Sequence, residues 1–168
     1  GVDAVIVAKR DAAKKTDVDK SIKAVKNLTV GVWMNEASEK DPAGTDFQVF
    51  SSVSTPIGSL GGAKRTNMMH VVPELEDGLL KTIENLPVDV FLVSLADAEK
   101  LTVSQLMRLA RVRGVTSRWL ITHLAKLPTQ AEMEQLHEAG VSGIAVDLAN
   151  QDAKGLKECM VALAALPH

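Results

Sequence analysis

The sequence predicts an α/β protein built on a parallel β-sheet of about seven strands that alternate with helices. Seven short apolar runs, rich in β-branched residues, are spread along the chain, and most are apolar at successive rather than alternate positions. Such runs are typical of strands that are buried on both faces of a parallel sheet. Segments with helical spacing of apolar residues lie between most of the runs, and this alternation indicates parallel connections.

A short phrase that precedes an apolar strand recurs along the chain. Its four copies are Gly1-Val2-Asp3, Gly44-Thr45-Asp46, Pro87-Val88-Asp89 and Gly140-Val141-Ser142. They are 43, 43 and 53 residues apart, which is too long for one strand–helix unit and suits two. With one further apolar run inside each interval, the predicted strands are 4–8, 29–34, 44–50, 67–72, 87–93, 118–122 and 140–146.

Helices are predicted from apolar spacing and from residues that favour helix starts. The predicted ranges are 17–26, 75–85, 103–113, 131–139 and a last helix after Asp152. Thr102 is expected to cap the third helix, and Thr129 with Glu132 has the pattern of a capping box at the fourth. The residues expected to face the core from the third helix are Val103, Leu106, Met107 and Ala110.

The repeated phrase and the unit spacing resemble the (β/α)8 or TIM-barrel fold over nearly the whole chain, without the motif of any one barrel family. A doubly wound open sheet is the alternative, although no Gly-x-Gly-x-x-Gly follows the first strand, which disfavours a dinucleotide-binding version. The 168 residues are few for a barrel, and Gly1 stands where a helix cap would precede a strand. We therefore expect a single α/β domain over 1–168 that lacks an N-terminal strand–helix unit. The alternative interpretation of Gly1 is a tag remnant.

Composition excludes several classes of function. The chain has 19 Lys and Arg against 21 Asp and Glu, so nothing indicates binding to nucleic acid or to acidic lipid. Cys159 is the single cysteine, which excludes an internal disulfide and a CxxC zinc site. No apolar run approaches the ~20 residues of a membrane span. We expect a cytoplasmic protein that binds neither nucleic acid nor membranes.

Candidate site residues are those that end the predicted strands, because α/β folds place functional groups at the carboxyl ends of their strands. The predicted catalytic residues are Lys9, Glu36, His123 and Asp147. The residues predicted to bind the substrate are Arg10, Asn35, Ser51, Ser52, Glu74 and Ser94. A desolvated Lys9 could bind an anion or form an imine, and a solvated lysine paired with Asp11 is the alternative.

Proton transfer is the role predicted for His123 or Glu36. The ligand types of Glu36, Glu74, His123 and Asp147 suit a divalent metal whose identity stays unknown, and no nucleotide-cofactor signature is present. The function we predict is a lyase, aldolase-like or isomerase reaction on a small anionic metabolite. A non-catalytic domain that assembles with another chain is the alternative, because a barrel without one unit has unpaired strand edges. A homo-oligomer is expected.

Overall fold

The computed structural model describes residues 2–8, 15–25, 27–34, 44–56, 65–72, 75–96 and 100–165. Its strands are β1 (Ala4–Ala8), β2 (Thr29–Met34), β3 (Phe47–Ser51), β4 (Thr66–Val71), β5 (Val90–Ser94), β6 (Trp119–Leu124) and β7 (Gly143–Val146). Its α-helices are α1 (Lys15–Ala24), α2 (Asp77–Leu80), α3 (Val103–Arg113), α4 (Gln130–Glu138) and α5 (Ala153–Ala164), with 3₁₀ helices at Ile83–Asn85 and Leu148–Asn150.

The seven strands form one sheet in chain order, from β1 to β7. Parallel pairing joins β1 to β2, β2 to β3, β3 to β4 and β6 to β7. This order confirms the predicted parallel α/β fold class. It contradicts the alternative of a doubly wound open sheet, in which the strand order reverses at a switch point.

Contacts divide the chain into two compact units. The first unit comprises Val2–His70 and Pro87–Val90, and the second comprises Val71–Leu86 and Phe91–His168. In the first unit, Val18 and Ile22 of α1 are buried against Val30 and Val32 of β2. These α1 residues are four positions apart and so share one face of the helix.

The repeated phrase has a structural reason that recurs in both units. In the first unit, Asp46 donates its N–H to the carbonyl of Val30 at 2.7 Å, and its carboxylate accepts the N–H of Val30 at 2.8 Å. In the second unit, Ser142 and Leu120 exchange the same two bonds, at 2.7 and 3.3 Å. The polar third residue of the phrase therefore pairs with the preceding strand of the sheet.

Helix α4 of the second unit ends in a glycine cap. Gly140 has a φ of 83°, and its N–H donates to His137 while that of Val141 donates to Leu136. This pair of hydrogen bonds is the Schellman motif, which requires a residue in the left-handed region. A Cβ at position 140 would also lie 2.8 Å from the Arg113 side chain.

Two predictions about helices are wrong. The range 75–85 is broken into α2 and a 3₁₀ helix, because Gly78 is a weak helix former and the Thr82 hydroxyl donates to the carbonyl of Leu79 at 2.7 Å. The core face of α3 is also different from the predicted one. Val103 and Met107 are 74% and 67% exposed, and the buried residues are Gln105, Leu109 and Val112.

None of the described helices is long and apolar enough to cross a bilayer.

Candidate functional site

The predicted site residues fall into three groups in the structure. Five of them lie outside the described residues: Lys9, Arg10, Asn35, Glu36 and Glu74. Ser51 and Ser52 lie at the end of β3 in the first unit, and Ser94, His123 and Asp147 lie in the second. The roles assigned to the first group stay predictions.

The two serines at the end of β3 are held by the chain around them. The N–H of Ser52 donates to the carbonyl of His70 at 3.2 Å, and the Ser51 hydroxyl accepts the N–H of Val53 at 3.2 Å. The Ser52 Oγ is buried and has no hydrogen-bond partner among the described residues. These bonds account for the turn that ends β3, so substrate binding by Ser51 and Ser52 remains a prediction.

The second unit brings Ser94 and His123 together. Ser94 is the last residue of β5, His123 is the fifth of β6, and Ser94 Oγ lies 3.2 Å from His123 Nδ1. The backbone reinforces this contact, because the N–H of Leu95 donates to the carbonyl of His123 at 2.8 Å. Side chains alternate along a strand, so His123 lies on the opposite face of the sheet from Leu124.

The imidazole of His123 has the electrostatics of a proton acceptor. Burial lowers the pKa of His123 below its usual 6.5, and the negative charge of Asp147 partly opposes this shift. The ring is therefore neutral at pH 7. Because a hydroxyl can donate or accept, Ser94 can satisfy Nδ1 in either tautomer. His123 Nε2 makes no hydrogen bond to any described residue, and it is not among the described buried atoms that lack a partner, so it keeps accessible surface.

Asp147 follows the end of β7 and acts on His123 through its charge. Its Oδ1 accepts the N–H of Ala149 at 3.0 Å and so caps the 3₁₀ helix Leu148–Asn150. In the register of β6 and β7, His123 lies opposite Ala145. The carboxyl ends of β5, β6 and β7 therefore place a hydroxyl, an imidazole and a carboxylate in one region, as the sequence predicts for these three residues.

No group of three or more His, Cys, Asp or Glu side chains could hold a metal ion within the part of the chain that the structure describes. The predicted metal set also includes Glu36 and Glu74, which lie outside that part. A divalent metal therefore stays a prediction. Burial raises the pKa of the Cys159 thiol, which disfavours the thiolate that a metal or an electrophile would require.

The second unit contains a cavity of about 170 Å³ that was not predicted from the sequence. It lies beyond the ends of β5 and β6, beside the first turns of α3 and α4, and its lining includes Leu95, Gln105, Leu124 and Glu132. One signal for it was present in the sequence. Both helices begin with a capping box, Thr102 with Gln105 and Thr129 with Glu132, and both N3 side chains of these boxes line the cavity.

Comparison with known proteins shows the fold. No protein-family model and no curated protein matches the chain. Thiamine phosphate pyrophosphorylase from Pyrococcus furiosus is similar, with a TM-score of 0.70 and 15% identity over 98% of this chain and 82% of that chain. Tryptophan synthase from M. tuberculosis in its aminoacrylate-bound form gives a TM-score of 0.64 and 11% identity, over 98% and 81%.

A third solved structure is the carboxyl transferase domain of Rhizobium etli pyruvate carboxylase, with a TM-score of 0.61 and 12% identity over 86% of this chain and 32% of that chain. At such identities the likeness concerns the fold alone. The solved structures that this chain resembles are TIM-barrel enzymes, so the predicted resemblance to the TIM-barrel fold is confirmed.

Proposed function

We propose that the protein is an enzyme that transfers a proton on a small anionic metabolite, by lyase, aldolase-like or isomerase chemistry, with His123 as the group that carries the proton. The observation that supports it most is the contact of Ser94 Oγ with His123 Nδ1 at the carboxyl ends of parallel strands, where enzymes of this fold place their catalytic groups. Fold alone does not establish function, so the proposal depends on this contact.

The proton would move at His123 Nε2. The neutral imidazole accepts a proton from a carbon or hydroxyl group of the substrate and returns it to the product, while Ser94 on Nδ1 keeps the ring in one orientation. Asp147 stabilises the imidazolium that forms, because its charge favours the protonated ring. In the tautomer with the proton on Nε2, the same ring donates to the substrate.

Lys9 and Arg10 are the cations that the sequence predicts for binding an anionic substrate. Lys9 and Arg10 end the first strand of the sequence, and ammonium and guanidinium groups bind carboxylate and phosphate. Imine formation by Lys9 is the aldolase-like version of the reaction that the sequence predicts. A cytoplasmic location, expected from the sequence, belongs to the same proposal.

Deuterium exchange tests the proton transfer without knowledge of the full reaction. The protein is incubated in D₂O with a panel of small phosphorylated and carboxylated metabolites, and loss of C–H signals is followed by NMR. In His123→Asn the amide can still bond to Ser94, but the acceptor at the position of Nε2 is removed. His137→Asn, at an exposed position of α4, is the control. We expect exchange in wild type and control and none in His123→Asn; equal exchange in all three, or none with any metabolite, contradicts the proposal.

Assembly with another copy of the chain is the second candidate function. Among the described residues β7 pairs with β6 only, and Leu148 and Val161 beyond it are 48% and 72% exposed. An unpaired strand edge favours association with another chain. Sedimentation of wild type and Val161→Lys tests this proposal. A dimer that the charge dissociates supports it, and a monomer at all concentrations contradicts it.

A further inference from the structure

The cavity beside α3 and α4 is separate from the Ser94–His123 contact. Leu95 and Leu124 line it. Leu124 neighbours His123 on β6, whose side chains alternate between faces, and Leu95 follows Ser94, the last residue of β5. Its volume is about 170 Å³, and an apolar cavity of about 150 Å³ is enough for a benzene ring. A ligand in the cavity would therefore be small.

Gln105 presents an unused hydrogen-bond donor to this cavity. The residue is only 6% exposed, and its Oε1 accepts the N–H of Thr102 at 2.7 Å. This bond fixes the orientation of the amide, because a backbone N–H must meet the oxygen and not the nitrogen. The two hydrogens of Nε2 have no partner among the described residues. Nε2 is not among the described buried atoms that lack a partner, so it keeps accessible surface, and Gln105 lines the cavity. An acceptor that enters the cavity can bond to this donor.

The charges around the cavity favour an anion. Lys100 and Lys126 both line it, and the carboxylate of Glu132 is the opposing charge. That carboxylate accepts the N–H and the hydroxyl of Thr129, both at 2.8 Å, and these bonds lower the pKa of Glu132. Glu132 is thus ionised and bonded to its own helix start, and the two ammonium groups leave a net positive lining.

From the donor, the charges and the volume together, we infer that the cavity binds a small monocarboxylate with a short apolar body. The carboxylate accepts from Gln105 Nε2 and pairs with the ammonium groups of Lys100 and Lys126. The apolar body packs against the leucine side chains that line the cavity, Leu95, Leu101, Leu124 and Leu127. This inference does not depend on the function proposed for His123.

The two capping boxes provide matched variants for a test. Gln105→Glu keeps the acceptor that caps α3, since Thr-x-x-Glu is also a capping box, but it replaces the donor by a negative charge. Glu132→Gln keeps the cap of α4 and removes a negative charge from the cavity. Sodium benzoate serves as the anionic probe, and benzyl alcohol as a neutral probe with the same ring.

Binding is measured by NMR titration of the full chain, from the Gln105 side-chain amide and the Leu124 and Leu127 methyl signals. We expect benzoate to shift these signals and to bind at least about tenfold more tightly than benzyl alcohol, because a hydrogen bond to a charged group contributes that much. Gln105→Glu should lower the affinity for benzoate at least about tenfold, and Glu132→Gln should raise it. Equal affinity for the two probes contradicts the inference, as does equal benzoate affinity in wild type and Gln105→Glu.

A variant outside the caps protects the test against loss of structure. Lys126→Met changes an exposed residue of the cavity lining, and Lys154→Met changes an exposed lysine of α5. Benzoate should bind several-fold more weakly to Lys126→Met than to wild type, and its affinity for Lys154→Met should be unchanged. Equal effects of the two substitutions contradict the inference. Benzoate shifts confined to His123 would also contradict it and would support the site proposed there.

Discussion

Asp89 and Asn67 exchange two hydrogen bonds in the first unit. The N–H of Asp89 donates to the carbonyl of Asn67 at 2.9 Å, and the N–H of Asn67 donates to the carboxylate of Asp89 at 2.8 Å. Asp46 and Val30 make the same exchange, and in the second unit Ser142 and Leu120 repeat it. One hydrogen-bond pattern thus explains why the sequence repeats a polar residue just before its strands.

Loss of this carboxylate should destabilise the protein. In Asp46→Ala the N–H of Val30 loses its acceptor, and we expect the free energy of unfolding to fall by about 1 kcal/mol. Urea unfolding of Asp46→Ala and Asp89→Ala measures the effect. Asp3→Ala is the matched control, because Asp3 has the same place in the phrase but no preceding strand among the described residues. Equal stability of wild type and both test variants would refute the explanation of the repeat.

A close contact in the first unit accounts for Gly31. A Cβ at this position would lie 2.1 Å from the ring of Phe47. We expect Gly31→Ala to lower the free energy of unfolding by about 3 kcal/mol, because a packed core resists added volume. Gly31→Ala with Phe47→Leu should recover part of the loss. Gly78→Ala, where a Cβ meets nothing within 4 Å, should be neutral or stabilising by up to about 1 kcal/mol. Urea unfolding compares the four proteins, and a neutral Gly31→Ala refutes the contact.

The carboxylate of Glu84 gives the second unit a pH-dependent stability. The hydrogen bond that the Thr116 hydroxyl donates to this carboxylate does most to lower the pKa of Glu84 below 4.5. The hydrogen bond from the Ser117 hydroxyl and the charge of Arg118 lower it further. A carboxyl group whose pKa is lower in the folded than in the unfolded state stabilises the fold at pH values above its unfolded pKa. This stabilisation is lost as the pH falls through the folded-state pKa. Unfolding in urea at several pH values should show wild type losing its advantage over Glu84→Gln below about pH 4.5. Glu134→Gln removes an exposed charge as the control, and a difference that does not change with pH contradicts the assignment.

The sequence predicted the elements well where local signals were complete. The bounds of β1, β2 and α3 agree with the prediction, and α3 carries the capping box and the following Gly114 that fix both of its ends. The face that α3 buries was wrong, because apolar periodicity counts Gln105 as a surface residue. Gln105 is buried because its amide oxygen bonds to Thr102, which is a matter of capping and not of hydrophobicity.

The candidate site was predictable only in part. Strand ends indicated Ser94, His123 and Asp147, since parallel strands bring their carboxyl ends together. That Ser94 contacts Nδ1 depends on the register of neighbouring strands, which no local pattern specifies. The cavity depends on two loops meeting beside two helix starts, and this arrangement is a tertiary property that spacing along one chain does not reveal.

The protonation of His123 provides the most direct test of the proposed site. Burial lowers its pKa and the charge of Asp147 raises it, so NMR titration should place the His123 pKa below 6.5, and Asp147→Asn should lower it further. The proton is bound more weakly in the folded state, so this group's contribution to stability is lost as pH falls below 6.5, and His123→Asn should remove that dependence. Asp152→Asn, which keeps an N-cap on α5, is the control and should leave the His123 titration unchanged. A His123 pKa at or above 6.5, or one that is insensitive to Asp147→Asn, would contradict the burial of the ring and the influence of Asp147 on which the proposed site depends.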